Sequence, residues 1–395
     1  MQVALVQPHR PAPGIGIAPR GLLAASGARV VLGGLAKNAL AAPVRPAADT
    51  LFGPRGAALA GPQGPLFVCD TGHHRLLAWR LIPQQDGTPA DLVFGQPDFT
   101  SEGRNAKRDV GPHTLNVPTG VAIGPGGVLA VADAWNHRVL LWHGLPLSSK
   151  QPPDIVLGQA DFISGLANRG RDKPAADTLN WCYGVAISGG RLIVTDTGNR
   201  RVLVWNTLPR INGAPADLVL GQRDFWTRDE GGGGAMDAAG MRWPHAAALD
   251  GGRLFVADAG TSRIMVWHHL PDTNGAPCDA VLGQANFTDA DHNRGAYDPA
   301  AATLHMPYGI AALAGRLFVA DTANSRLLGF DLAELDVGAA ADSLTGQHNF
   351  HDKGENRWER PGRDTLCWPY GISLCSDTAI IADSGNNRVL LWDAA

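Results

Sequence analysis

Six residues of this chain occupy one repeated place: Arg55, Thr119, Tyr183, His245, Tyr308 and Tyr370. Each follows a proline, or Cys182 in the third case, and they recur at intervals of 62–64 residues. Close by in sequence stand Trp181, Trp243 and Trp368, with Arg242 and His305 at the position before that one. Brought together, these side chains form an aromatic depression of mixed polarity that suits a small ligand or a peptide turn. The rival chemistry is metal-assisted. Zinc catalysis needs about three protein ligands around one open position. His245 is the one histidine at the repeated place, and His305 is the nearest second donor in register. Nucleophilic catalysis has no signature: there is no Gly-x-Ser-x-Gly elbow. The Gly231–Gly234 run lacks the following Lys-Ser/Thr of a phosphate loop and reads as a flexible rim loop.

The elements that position these residues are themselves repeated. Asp-x-x-x-x-Arg occurs as Asp70/Arg75, Asp133/Arg138, Asp196/Arg201, Asp258/Arg263, Asp321/Arg326 and Asp383/Arg388, 62 or 63 residues apart. A short apolar run precedes each Asp, and another follows each Arg. So regular a period marks a repeat architecture. In the second unit, Leu115–Ile123, Val128–Asp133, Arg138–Trp142 and Asp154–Gln159 read as four short strands separated by turn residues. A four-stranded sheet with two apolar faces cannot bury both alone. Six such sheets stacked around an axis can, so the expected fold is all-β: a six-bladed β-propeller of four-stranded antiparallel blades. Each Asp is expected to accept from the turn amides that follow it, and each Arg to pair with the Asp or reach a neighbouring blade's carbonyls. A pair present six times is structural, since one active site does not need six copies.

The last unit ends at Trp392-Asp-Ala-Ala395 without a fourth strand. Its missing piece stands at the other end of the chain, as Arg29-Val-Val-Leu-Gly-Gly34. An N-terminal strand completing the last blade would close the ring. The expected organisation is an N-terminal extension, residues 1–28, followed by the propeller, residues 29–395. Between blades, Gly-Gln followed by Phe recurs at Gln96/Phe99, Gln159/Phe162, Gln222/Phe225, Gln284/Phe287 and Gln347/Phe350. Six residues beyond four of these Phe residues stand Asn105, Asn168, Asn293 and Asn356, read as pinning long loops at one rim. The variable loop tips are the expected contact surface.

Asp133-Ala-Trp-Asn-His-Arg-Val139 and Asp383-Ser-Gly-Asn-Asn-Arg-Val389, with the Pro-x-Gly lead-in before each, resemble the NHL repeat. The resemblance spans about residues 29–395. It implies the propeller fold and a role among partner-binding scaffolds, RNA-binding modules or a few enzymes, without choosing one. An amidating lyase of this family places histidine at the repeated place in several blades. Here His245 alone matches, so that triad is not carried over.

Bulk properties narrow the classes further. The formal net charge is −4 and 18% of residues are charged, which argues against nucleic acid and anionic membranes as partners. No apolar run is long enough to span a bilayer, and the N-terminus lacks a signal-peptide layout, so the chain reads as cytoplasmic and monomeric. The five cysteines fall in no zinc or disulfide pattern and read as reduced thiols. No cofactor is implied, although a calcium ion on channel carbonyls would suit such a ring. The expected function is a non-enzymatic binding or scaffold propeller recognising a protein partner or small ligand at the channel mouth and rim loops. The alternative is a metal-assisted lyase or hydrolase centred on His245 and the tyrosine ring.

Overall fold

The computed structural model describes residues 19–33 and 44–395, so most of the predicted N-terminal extension lies outside the described residues. Six four-stranded antiparallel sheets surround an axis. Blade two is representative, with strands Pro118–Ile123, Leu129–Asp133, Arg138–Trp142 and Ile155–Leu157 from the axis outward. The core is divided into six apolar clusters, one between each pair of neighbouring blades. Val139, Leu141, Leu192, Val194 and Leu203, for example, fill the space between blades two and three. This is the burial of both sheet faces that the repeat demands.

The ring closes as the sequence predicts. Val30–Gly33 pairs antiparallel with Arg388–Asp393 and becomes the outer strand of blade six. The chain before it does more than expected. Arg20–Gly21 adds a parallel strand to the outer edge of blade five, and Leu22 and Leu23 are buried between blades five and six. The N-terminal segment therefore covers two blades.

The six Asp–Arg pairs are fully buried apart from slight exposure at Arg388. One expectation is corrected. The Asp does not cap the turn that follows it; none of these turns has a side-chain cap. Its Oδ1 instead accepts an amide 15–18 residues upstream, from Phe52, Asn116, Asn180, Arg242 and Trp243, His305 or Cys367. The turn is tight enough to hold itself. Its last residue is left-handed, with φ of 50–56° at His74, His137, Arg200, Ser262, Ser325 and Asn387. Each Asp is thus free to fasten the lead-in of its own inner strand.

Those left-handed residues link the blades. The side chain of each, except Arg200, accepts an amide from the next blade's lead-in. Asn387 Oδ1 takes Gly53 N–H at 2.8 Å, His74 Nδ1 takes Val117 N–H at 3.1 Å and His137 Nδ1 takes Trp181 N–H at 3.0 Å. Ser262 and Ser325 hydroxyls take Met306 and Trp368. A histidine that accepts at Nδ1 must carry no proton there. Burial accordingly lowers the His137 pKa to about 4, and burial followed by the Arg104 charge lowers that of His74.

Two predictions follow from these contacts. Deleting residues 1–33 removes five large buried apolar residues, Leu22, Leu23, Val30, Val31 and Leu32. At ~2 kcal/mol each the gross loss is about 10 kcal/mol, comparable with the whole stability of a domain. The truncated chain should lose its cooperative melting transition; a calorimetric trace matching that of the full chain would refute the closure. The second concerns acid. In the unfolded chain His137 takes up a proton below about 6.5, but in the fold only below about 4. Its contribution is complete above pH 6.5 and is lost as the pH falls toward 4. His137→Asn, copying Asn387, should keep the melting temperature at pH 7 and flatten its decline between pH 6.5 and 4. An unchanged slope would show that this link is not the titrating group.

Candidate functional site

The repeated residue is aimed at the axis by a β-bulge. In blades two to six the register skips one residue, between Pro118/Gly120, Cys182/Gly184, Pro244/Ala246, Pro307/Gly309 and Pro369/Gly371. The skipped residues are Thr119, Tyr183, His245, Tyr308 and Tyr370. A bulge leaves its extra residue outside the ladder and re-aims its side chain. The glycine that follows permits close approach. A Cβ on Gly120 would lie 2.8 Å from the Tyr183 carbonyl oxygen, and one on Gly371 would lie 2.0 Å from that of Arg55. The inner strands can therefore converge until six side chains meet.

They meet in a crowded ring. Tyr183 stacks on His245 at 4.9 Å between ring centroids, His245 lies 4.4 Å from Tyr308, and Tyr308 stacks on Tyr370 at 4.3 Å. The Arg55 guanidinium lies 4.3 Å from the Tyr370 ring centre and 5.8 Å from that of Tyr183. Blades three and six face each other across a six-membered ring, so a cation near both aromatic rings sits close to the axis. Such contacts contribute roughly 0.5–2 kcal/mol. Below the ring the axial cavity has a volume of about 310 Å³. Its walls are Ala, Val, Ile, Leu and Gly of the inner strands, with Ser188 and Ser373, and no Asp or Glu lines it.

His245 is held as a neutral imidazole. Its Nδ1 donates to the Trp243 carbonyl at 2.9 Å, because a carbonyl can only accept. That leaves Nε2 as an acceptor. Burial, against the raising effect of that hydrogen bond and with the help of the Arg55 charge, lowers its pKa to about 4. Burial raises the phenol pKa of Tyr308 and Tyr370, so both remain O–H donors. Thr119 differs from the others, since its hydroxyl is committed to the Tyr183 carbonyl at 2.7 Å.

The remaining candidates lie outside the ring. Trp181, Trp243 and Trp368 are 47%, 46% and 52% exposed and form a crown around the mouth. Trp181 and Trp368 hold left-handed backbone, at φ 48° and 49°, in the register where blade one has Gly53. Arg242 does not reach the mouth: its Nε donates to Glu230 Oε1 at 2.6 Å and its Nη1 to the Gly260 carbonyl. His305 stacks on His292 of a rim loop at 4.5 Å. Sequence reading passed over further exposed aromatics at the rim, Phe52, Trp135, Trp226, Tyr297 and Trp358. Phe52 could have been found, because it shares a register with Arg242 and His305. The loop aromatics carry no periodic signal.

The donors around His245 do not fit a catalytic zinc. Its neighbours in the ring are tyrosines packed face to face or tilted against it, and His305 is engaged elsewhere. Among the described residues no three His, Cys, Asp or Glu side chains converge to hold a metal ion. A calcium ion on the axis would face the Arg55 charge without a carboxylate in the lining, so that donor set does not fit either.

A family model for the NHL repeat matches residues 115–140, which cover the inner two strands of blade two and the turn after them. No curated protein matches the chain. Among solved structures the fold is similar to the WD40 β-propeller domain of Doa1, with a TM-score of 0.50 at 10% identity over 93% of this chain and 96% of that one. A gluconolactonase from Xanthomonas campestris is similar with a TM-score of 0.49 at 14% identity, over 96% and 99% of the two chains. Likeness at these identities shows the fold alone. The chain is a six-bladed β-propeller carrying an NHL repeat. Among the described residues no helix is long and apolar enough to cross a membrane.

The packing of the ring is testable at Gly371. A methyl group 2.0 Å from the Arg55 carbonyl oxygen meets backbone that cannot step aside. Gly371→Ala should cost about 2 kcal/mol, within the usual range for overpacking, measured by denaturant unfolding. A neutral result would mean that blades six and one are not held this closely.

Proposed function

We propose that this propeller is a binding module that recognises a protein partner or small ligand with the crown and mouth at one end of its axis. The observation that carries this reading is the placement of Trp181 and Trp368. Each presents about half of a large aromatic surface to solvent from a backbone conformation that bulky residues rarely adopt. Backbone outliers held by the surrounding structure point toward function. Glycine serves at the same register in blade one, so the fold itself does not call for tryptophan. Aromatic and arginine side chains are also the groups that dominate binding surfaces. Trp243, Arg55, Tyr183, His245, Tyr308 and Tyr370 complete the proposed surface, while Thr119, Arg242 and His305 support it from the blade and rim contacts they already make.

The reading separates binding from stability. The double variant Trp181→Gly/Trp368→Gly relieves left-handed strain of ~1–2 kcal/mol per residue and loses roughly 0.5–1 kcal/mol of backbone entropy at each site. Each indole also gives up the burial of its covered half, ~100 Å² or about 2–3 kcal/mol, so melting curves of the variant are taken alongside the titration to separate lost binding from lost folding. Proteins retained from an extract by the immobilised parent chain should be identified, purified and titrated against both forms. We expect at least tenfold weaker binding by the variant. Equal affinity would remove the crown from the proposed function.

A further inference from the structure

We propose that the axial cavity binds a small apolar carboxylate, with its anionic end on Arg55 and its tail between the inner strands. The proposal rests on reading the mouth as a binding site and names the ligand class. Three observations converge on it. First, Arg55 is the one cation at the mouth among the described residues, placed near the axis by its contacts with Tyr370 and Tyr183 from opposite blades. Among the described residues no carboxylate pairs with it, whereas Arg242, one of the other charged candidates, is neutralised by Glu230. Second, among the described residues the cavity lining contains no Asp or Glu, and His245 beside it is neutral. A cation in a low-dielectric tunnel with no local counter-charge attracts an anion more strongly than one at an open surface.

Third, the chemistry around the charge suits a carboxylate. A guanidinium resting on an aromatic face keeps its in-plane N–H donors for a planar bidentate acceptor. Tyr308 and Tyr370 hold hydroxyl donors in the same ring. Below them the walls mix aliphatic side chains, including Ala57, Val121, Val185, Ala247, Ile310 and Ile372, with the polar backbone edges of the inner strands. An inorganic anion would leave the aliphatic part of that surface unused, and a neutral hydrocarbon would leave the charge unpaired. A volume of about 310 Å³ equals roughly ten water molecules. That is room for a free acid with a short tail and too little for a folded peptide end.

The test uses the full chain and calorimetric titration with octanoate, octanamide and an apolar tetrapeptide with a free C-terminus. Octanoate should bind saturably and raise the melting temperature, and octanamide should bind at least tenfold more weakly. Arg55→Gln should lose at least tenfold in octanoate affinity, while Arg55→Lys, which keeps the charge, should retain part of it. Melting curves without ligand identify any variant that fails to fold; Arg55→Lys then carries the comparison, with a drop in affinity expected from loss of the bidentate fork. Equal binding of octanamide, unchanged octanoate affinity in Arg55→Gln, or no octanoate binding overturns the proposal. Tighter binding of the tetrapeptide than of octanoate also overturns it, by assigning the site to chain ends. If octanoate fails while the tryptophan crown still binds a partner, only this inference falls.

Discussion

The buried Asp–Arg pair is the contact on which the rest of the propeller depends. In each blade it joins the second strand to the third, yet its reach is longer. In blade two, Asp133 Oδ1 accepts the Asn116 amide, while Oδ2 accepts from Arg138 Nε at 2.8 Å and from Asn136. Arg138 then spends its remaining donors on Phe162 of the outgoing loop and on Gly111 and Thr114 of the incoming loop. One pair thus ties two strands and two loops. The amide it fixes lies three residues before Thr119, and the same offset holds for every residue of the axial ring. Positioning at the mouth is therefore inherited from the fold's own ion pairs. Such pairs stabilise only while complete. Removing one partner strands a buried charge at a cost of about 3–5 kcal/mol, which explains why no blade has lost either residue.

The features legible in the sequence were those that each blade must repeat. The strand count, the closing strand at Val30–Gly33 and the ring from Arg55 to Tyr370 all follow from register. Asn105, Asn168, Asn293 and Asn356 were read as loop pins, and each forms a reciprocal amide pair with the turn asparagine of its blade, as Asn168 does with Asn199 at 2.8 and 3.0 Å. What was missed depends on dihedral angles and on partners distant in sequence. The Asp acceptor reaches upstream because the turn closes through a left-handed residue. Arg242 was placed at the mouth, but an acid in its own rim loop holds it. His74 and His137 stand at outer turns with no chemistry in their sequence setting, and it is partners in the next blade that give their Nδ1 atoms a role. Register fixes where a backbone atom lies, but not which way a side chain leaves it.

Blade four departs from the pattern at several connected points. Gly231 stands where other loops have asparagine, and Thr261 stands at the turn position, so the amide pair is lost on both sides together. The Arg263 Nε–Asp258 distance opens to 3.7 Å, and Asp258 instead receives the Thr261 hydroxyl and two lead-in amides. Trp243 lacks the left-handed backbone of its counterparts, and Ala246 replaces the close-packing glycine. His245 belongs to this same blade. The departures form one mechanical unit: a looser lead-in admits an imidazole whose Nδ1 must fold back onto the Trp243 carbonyl. The single histidine of the ring thus comes with a local rearrangement.

Crown and ring stand in different relations to the fold. The ring residues are bound into it: aromatic pairs contribute roughly 0.5–1.5 kcal/mol beyond their burial, and Tyr183, His245, Tyr308 and Tyr370 form a continuous chain of them, stacked at both ends and tilted between His245 and Tyr308. Changing any one disturbs packing and recognition together. The crown has the opposite balance. Val117, Trp181, Met306 and Trp368 all hold φ near 50°, where a side chain adds strain and, if exposed, little burial. Glycine at Gly53 makes the same interblade amide bond without that strain. Backbone strain alone therefore favours glycine at this register, and the two half-exposed tryptophans there leave much of their aromatic surface uncovered by the blades. In the proposed binding role the crown is therefore the separable part, while the ring closes the axis and holds Arg55 above the cavity.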